Sequence, residues 1–227
     1  MIVQRVKGSI MNGLWKRIGS GAVLMAALTV AGLFVGCDEN KPTGDASTTQ
    51  MTSWRTVSSG DGEVGLLGTE VRVGEKAPQF TCIGRDMQPV SLADYAGKVK
   101  ILSVFPSVDT RVCSLQTHQF NEQADALGDG VVIMSISVDL PFAMNRYCGA
   151  EGIERMVMAS DHRDLDFGMK YGMVLEGKRL LTRAVVVIDK DDVVRYVEYV
   201  PNLSDEPDYA KALDVAKGLL GNQVHQD

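Results

Sequence analysis

Three short apolar stretches constrain this chain more than anything else in it: residues 98–105, ending Ile101-Leu102-Ser103-Val104-Phe105, residues 131–138, and residues 184–188, Ala184-Val185-Val186-Val187-Ile188. They are short for helices and apolar at consecutive positions, the pattern of strands buried on both faces. Pro106 stops the first strand because it has no N–H to donate to a ladder. A helix is expected to follow from about Asp109 or Thr110 to Leu127, with a short strand at 157–160 and a helix at 163–171. The strand at 184–188 should turn tightly through 189–192 into an antiparallel partner at 193–200. A last helix should start near Glu206 or Pro207, with Ser204 or Asp205 positioned to cap it and Gly221 to end it. Upstream, residues 63–67 and 70–73 flank Gly68-Thr69 and suggest a hairpin, followed by a turn at Gly74-Glu75-Lys76-Ala77-Pro78.

Strand, helix, strand, helix, then a hairpin and a terminal helix is the order of a thioredoxin-like α/β sandwich. The expectation is a central mixed sheet flanked by helices, with an N-terminal β-hairpin, over residues 61–222 and a disordered tail at 223–227. With 45% apolar residues in 227, the chain can bury one real core but is short for two large domains.

The beginning of the chain has a different character. Arg5, Lys7, Lys16 and Arg17 stand without any acid before a nearly wholly apolar run at 22–36, a secretory leader pattern. That run of fifteen residues falls short of the roughly 20 that span a hydrocarbon core, which favours cleavage over a permanent span. It ends Leu33-Phe34-Val35-Gly36-Cys37, which resembles a bacterial lipobox with Phe34 where Leu, Val or Ile is usual. Residues 1–36 are then a lipoprotein signal peptide and Cys37 the acylated N-terminus; an ordinary signal peptide or signal anchor with an incidental Cys37 is the alternative. Met11 to Cys37 alone would make a complete leader. From Asp38 to about Gly60 the chain is polar, rich in Ser, Thr, Asp and Gly and without apolar periodicity, as a flexible tether over 37–60 would be. Trp54 within it is a candidate to dock on the folded domain.

Outside the leader the balance is 19 Lys and Arg against 29 Asp and Glu, a net charge near −10. No basic cluster is left to neutralise phosphates, so nucleic acid is excluded as a partner.

The cysteines stand at 37, 82, 113 and 148, with no C-x-x-C pair among them. That removes the local motif of a thioredoxin-type oxidoreductase and makes a four-thiolate zinc site improbable. With Cys37 lipidated, an exported chain would be expected to pair two of the remaining three and leave one over. Cys113 sits just inside a helix that begins right after a strand and a proline. The unpaired N–H groups and the positive end of the dipole there stabilise a thiolate, the nucleophilic form. Thr110, three residues earlier, is placed to set its hydroxyl over the sulfur, and Pro106 to shield it from water. Taken singly, Cys113 reads equally as a small buried hydrophobe, Cys148 as a buried structural thiol, and Arg183 as a solvated charge at a strand end. His118, five positions after Cys113, falls off its helix face, so a Cys-His protease dyad is poorly supported. His162 and His225 have no metal-ligand spacing around them.

The whole string decides between these readings. Pro106-x-x-x-Thr110-x-x-Cys113 resembles the signature of the peroxiredoxin family, and Phe105-Pro106-Ser107-Val108-Asp109-Thr110-Arg111-Val112-Cys113 is similar to its thiol peroxidase branch. The resemblance continues through Ser137-Val138-Asp139-Leu140-Pro141-Phe142-Ala143, Arg146-Tyr147-Cys148-Gly149-Ala150-Glu151-Gly152 and Arg183-Ala184-Val185-Val186-Val187-Ile188-Asp189, from about residue 65 to 220. It implies a peroxidatic cysteine at Cys113, a resolving cysteine at Cys148 of the same subunit joined to it by a disulfide, and a catalytic-pocket arginine at Arg183, beside Pro106 and Thr110. It matches no functional position to Cys82, which reads as core; a Cys82–Cys113 bridge is a competing, less supported pairing.

The resemblance thus implies a peroxidase for hydrogen peroxide and organic hydroperoxides that needs no metal, haem or flavin and is recycled by a thioredoxin-like dithiol protein. A homodimer is implied in the same way. The lipobox adds a bacterial envelope location on the extracytoplasmic side, anchored through lipid, where a thiol carrier of the envelope would replace ordinary thioredoxin. The rivals are an envelope thiol-disulfide carrier, against which the missing C-x-x-C speaks, and a non-catalytic binding lipoprotein on the same scaffold.

Overall fold

The apolar stretches become the centre of a seven-stranded sheet among the described residues. The structure is a computed structural model that describes residues 53–60 and 62–221. The leader, Cys37, most of the tether and the expected tail at 223–227 lie outside the described residues. In chain order the elements are β1 (Arg55–Ser59), β2 (Gly62–Leu67), β3 (Thr81–Gly84), β4 (Pro89–Ser91), a 3-10 turn (Leu92–Tyr95), β5 (Val99–Val104), α1 (Arg111–Leu127), β6 (Val131–Ser137) and α2 (Pro141–Glu151). They continue with β7 (Val157–Ser160), α3 (Asp166–Lys170), β8 (Val174–Leu175), β9 (Leu180–Leu181), β10 (Ala184–Ile188), β11 (Val194–Tyr199) and α4 (Tyr209–Gly221).

The large sheet has the order β11-β10-β5-β6-β7-β3-β4. Strands β5, β6 and β7 run parallel, while β10 and β3 add antiparallel on either side, giving the mixed sheet expected of the α/β sandwich. Successive residues of its central strands face opposite cores, which is why these strands are apolar throughout. Val99, Ile101, Val185 and Val187 join one cluster with residues of α1, α2 and α4; Leu102, Val104, Val186 and Ile188 join the other, beneath α3 and a small β1-β2-β8-β9 sheet. Register then brings distant segments to one end: Ala184 lies opposite Val104 on β5, and Val104 beside Ile136 on β6. Arg183, one residue before β10, therefore arrives next to the loop that leaves β5.

Local readings shift in four places. The N-terminal hairpin exists, but it joins β1 to β2, with Ser59 opposite Gly62, and residues 70–73 are not a strand. Gly68 does not reverse the chain into a hairpin: Thr69 N–H is donated to the Met169 carbonyl at 2.8 Å, and a Cβ at Gly68 would collide with that oxygen. Residues 55–59, which the polar composition assigns to the tether, form β1, where Val57 alone is buried. Trp54 docks: its indole N–H donates to the Gly172 carbonyl at 3.1 Å and its ring meets Tyr199 edge-on at 5.0 Å. The helix expected at 163–171 shortens to Asp166–Lys170, because the buried Asp161 carboxylate accepts the Phe167 and Gly168 N–H groups that open it. The last helix starts at Tyr209 and is capped by Asp208, whose carboxylate accepts Lys211 N–H at 3.0 Å, rather than by Ser204 or Asp205.

Candidate active site

Pro106 ends β5, and the loop that follows is tied down before α1 begins. Asp139, just after β6, holds it: one carboxylate oxygen accepts the Ser107 hydroxyl at 2.7 Å, the other the Val108 N–H at 2.8 Å and the Ser137 hydroxyl at 2.7 Å. The Thr110 carbonyl accepts Ser114 N–H at 3.0 Å, the first bond of α1, so Cys113 occupies the third helical position with Thr110 at the cap. The Thr110 hydroxyl lies 2.7 Å from Cys113 Sγ and 3.3 Å from the Ser107 carbonyl. Cys113 itself is fully buried.

Arg183 reaches the same sulfur from the sheet. One of its terminal nitrogens, Nη2, is 3.5 Å from Cys113 Sγ and 3.0 Å from the Leu203 carbonyl; Nε meets that carbonyl at 3.2 Å, and Nη1 donates to Gln116 Oε1 at 2.8 Å. The guanidinium is buried, and among the described residues its hydrogen-bond partners are carbonyls and one sulfur, with no carboxylate. A buried cation without a counter-anion is costly. Negative charge at the Cys113 sulfur, or on an oxygen bound to it, would supply the missing partner. Gln116, one helical turn beyond Cys113, is locked in turn by its amide, which donates to the Ser103 hydroxyl at 2.8 Å.

Thr110, Cys113 and Arg183 are thus brought together, with Pro106 at the head of the loop that leads into α1. Residues 72–213 match the Redoxin family. The thiol peroxidase of Halalkalibacterium halodurans is 54% identical over 155 residues, covering 68% of this chain and 93% of that one. That of Listeria monocytogenes serotype 4b is 51% identical over 154 residues, with 68% and 93% covered. The chain belongs to the thiol peroxidase branch of the peroxiredoxin family. A crystal structure of a peroxiredoxin-like protein from Aquifex aeolicus, 36% identical, superposes with a TM-score of 0.69 over 74% of this chain and 98% of that one. The site lies where β5 hands over to α1.

Cys148 is placed on the neighbouring helix, in the last turn of α2, which ends at Gly152 in a left-handed conformation. It belongs to the same apolar cluster as Cys113, and both are free thiols in this state. The two helices are joined beside them: Tyr147 Oη donates to Ser114 Oγ at 3.1 Å, and His118 Nε2 lies 3.0 Å from Glu151 Oε2. His118 therefore faces α2 and not Cys113. Burial pushes the Cys148 thiol up, against an opposing pull from the Arg85 guanidinium.

Cys82 lies on β3, away from this group. Burial first, then the Asp161 and Asp166 carboxylates, push its thiol far up, and its sulfur is 3.9 Å from Asp161 Oδ1. Asp139 and Gln116 are the site residues that sequence reasoning did not single out. Gln116 had a legible signal, a polar side chain three positions after Cys113 on an otherwise apolar helix face. Asp139 lay inside a matched string but gave no local sign of its long-range bonds.

Proposed function

We propose that this chain is a thiol-dependent peroxidase, anchored by a lipid on Cys37 to the outer side of a bacterial membrane, that reduces hydrogen peroxide and organic hydroperoxides. The observation that carries the reading is the Cys113 sulfur, 2.7 Å from the Thr110 hydroxyl and 3.5 Å from the Arg183 guanidinium. The Cys113 thiol gives up its proton and its thiolate attacks one peroxide oxygen; the O–O bond breaks, the departing oxygen takes up that proton and leaves as water or an alcohol, and Cys113 becomes a sulfenic acid. Thr110 and Arg183 stabilise the charge that moves onto the departing oxygen, as fixed donors in a water-poor pocket do, and Pro106 limits access of bulk water.

Cys148 then attacks the sulfenic sulfur, the S–O bond breaks, and a disulfide joins the two residues. Disulfide geometry brings alpha carbons to about 4.4–6.8 Å, so thiols on separate helices meet after local rearrangement. The first turn of α1 and the last turn of α2 are the segments that unwind, releasing the Tyr147–Ser114 and His118–Glu151 contacts. A thioredoxin-like dithiol protein of the envelope reduces the bridge. Exposed Leu140 and Phe142, beside the Asp139 that holds the catalytic loop, support a homodimer.

The test is consumption of hydrogen peroxide and cumene hydroperoxide by the full chain with dithiothreitol as reductant. Cys113→Ser should abolish turnover, Cys148→Ser should abolish the intrasubunit disulfide, and Cys82→Ser should change neither. A wild type that consumes no peroxide, or a Cys113→Ser variant that still does, overturns the reading.

A further inference from the structure

A series of hydrogen bonds, interrupted only by the Ser107 backbone, leads from Asp139 to the Cys113 sulfur. Asp139 Oδ1 accepts the Ser107 hydroxyl at 2.7 Å, and Oδ2 accepts the Val108 N–H at 2.8 Å. The Ser107 hydroxyl oxygen accepts Asp109 N–H at 3.2 Å. The Ser107 carbonyl accepts both the N–H and the hydroxyl of Thr110, at 3.2 and 3.3 Å. That same hydroxyl lies 2.7 Å from Cys113 Sγ. A hydroxyl has one proton to give, so where the Ser107 carbonyl stands bears directly on where the Thr110 proton points.

Asp139 has a firm seat from which to hold this loop. Phe105 N–H donates to the Ile136 carbonyl at 3.2 Å, so the end of β5 is tied to the end of β6, three residues before Asp139. The carboxylate also accepts the Ser137 hydroxyl at 2.7 Å, and Asp139 N–H donates back to that oxygen at 3.2 Å. From β7, the Ser160 hydroxyl donates to the Asp139 carbonyl, and His162 Nδ1 lies 2.8 Å from the same hydroxyl oxygen. Two hydroxyls and one N–H thus converge on the carboxylate. An ionised carboxylate only accepts and forms shorter, stronger bonds than a neutral acceptor; an amide of the same shape has one accepting oxygen and would lose part of the set.

We propose that Asp139 is a positioning residue for the peroxide step: by fixing Ser107 it aims the Thr110 hydroxyl at the oxygen on which charge develops. This rests on the reading of Cys113 as the peroxidatic cysteine. In that step the sulfur–oxygen bond forms, the O–O bond breaks, and the proton given up by the thiol goes to the departing oxygen. Asp139 exchanges no proton in it and acts only through the loop.

Two other parts are open to a carboxylate in this place, and each leaves a different mark. A charge felt at the sulfur would change the fraction of Cys113 that is thiolate, and with it the rate toward every electrophile. A merely structural anchor, once lost, would loosen the loop and open the buried sulfur to alkylation. A misdirected Thr110 hydroxyl harms the peroxide reaction alone, because iodide leaving from iodoacetamide needs no hydrogen-bond donor. Misplacing a catalytic group by about 1 Å costs up to about a hundredfold in rate.

The experiment uses the reduced full chain in detergent micelles and measures two rate constants of Cys113 at one pH, with hydrogen peroxide and with iodoacetamide, each read by peptide mass. The proteins are wild type, Asp139→Asn, Thr110→Val and the double variant. Asp139→Asn should slow the peroxide reaction about tenfold to a hundredfold and leave alkylation within about twofold. The double variant should be no slower with peroxide than Thr110→Val, since no hydroxyl is left to direct; residues acting through one group are not additive. Should Asp139→Asn fail to fold, Ser107→Ala removes the Oδ1 bond, keeps the one to Val108, and should slow the peroxide step about threefold to tenfold. Unchanged peroxide rates, parallel falls in both reactions, faster alkylation, or additive losses in the double variant would overturn the assignment to Asp139 while leaving the proposed function standing. A wild type that consumes no peroxide, or consumes it without modifying Cys113, would overturn both.

Discussion

Cys82 and Cys113 are equally removed from solvent, at 1% and 0% exposure, and their surroundings have opposite sign. Cys113 faces the Thr110 hydroxyl and the Arg183 guanidinium, at the start of a 17-residue helix. Cys82 sits mid-sheet with the Asp161 carboxylate 3.9 Å from its sulfur and Asp166 nearby, and burial together with these two charges pushes its thiol up. Burial alone therefore does not make a cysteine inert or reactive. What decides is whether the groups that share the low-dielectric space donate to a sulfur anion or repel it.

The sharpest way to break this comparison is alkylation of the native, reduced protein. Iodoacetamide at mildly alkaline pH should label Cys113 at least about a hundredfold faster than Cys82, which should react only on unfolding. Equal labelling rates, read by peptide mass, would mean that access and not charge separates the two thiols. A second, more selective test removes the cation. Arg183→Met should lower kcat/KM for hydroperoxide by roughly a hundredfold to a thousandfold, the usual loss for one donor aimed at developing charge. Arg183→Lys should recover little, since one ammonium cannot hold Gln116, the Leu203 carbonyl and the sulfur at once. A lysine variant with near wild-type kcat/KM would show that charge suffices without the fork.

The same contrast separates what is legible in the sequence from what is not. The central strands and α1 were legible because their signals are local: consecutive apolar residues make a doubly buried strand, and Pro106, Thr110 and Cys113 stand within one short segment. Strand β1 was not, because only Val57 of its five residues faces the core and the rest resemble a tether. Arg183 lies 70 positions from Cys113 and by itself is a strand-end charge; only its match to a family pattern drew it into the site. Asp139 holds Ser107 and Val108, 32 and 31 positions away, and nothing in its neighbours' periodicity betrays it. Chemistry carried by one short segment is readable, while chemistry assembled by sheet register must wait for the fold.

The smallest effect concerns the carboxylate on the Cys82 side. Burial raises Asp161 from 3.8 to about 6, with the Asp166 charge adding to it and the Phe167 and Gly168 N–H groups opposing it. A carboxyl group raised by folding contributes stability that is fully present below its unfolded value and is lost as the pH rises through its folded value. The wild type should therefore lose stability relative to Asp161→Asn between about pH 4 and pH 6 and hold a constant difference above that. The amide variant will be offset at every pH, because its NH2 cannot accept a backbone N–H; the slope, not the offset, carries the information. Melting temperatures of both proteins across this window should diverge by several degrees, on the order of 3 kcal/mol. Parallel melting curves would mean that Asp161 stays ionised in the fold, and that the repulsion assigned to the Cys82 side acts on the sulfur without any counterpart on the carboxylate.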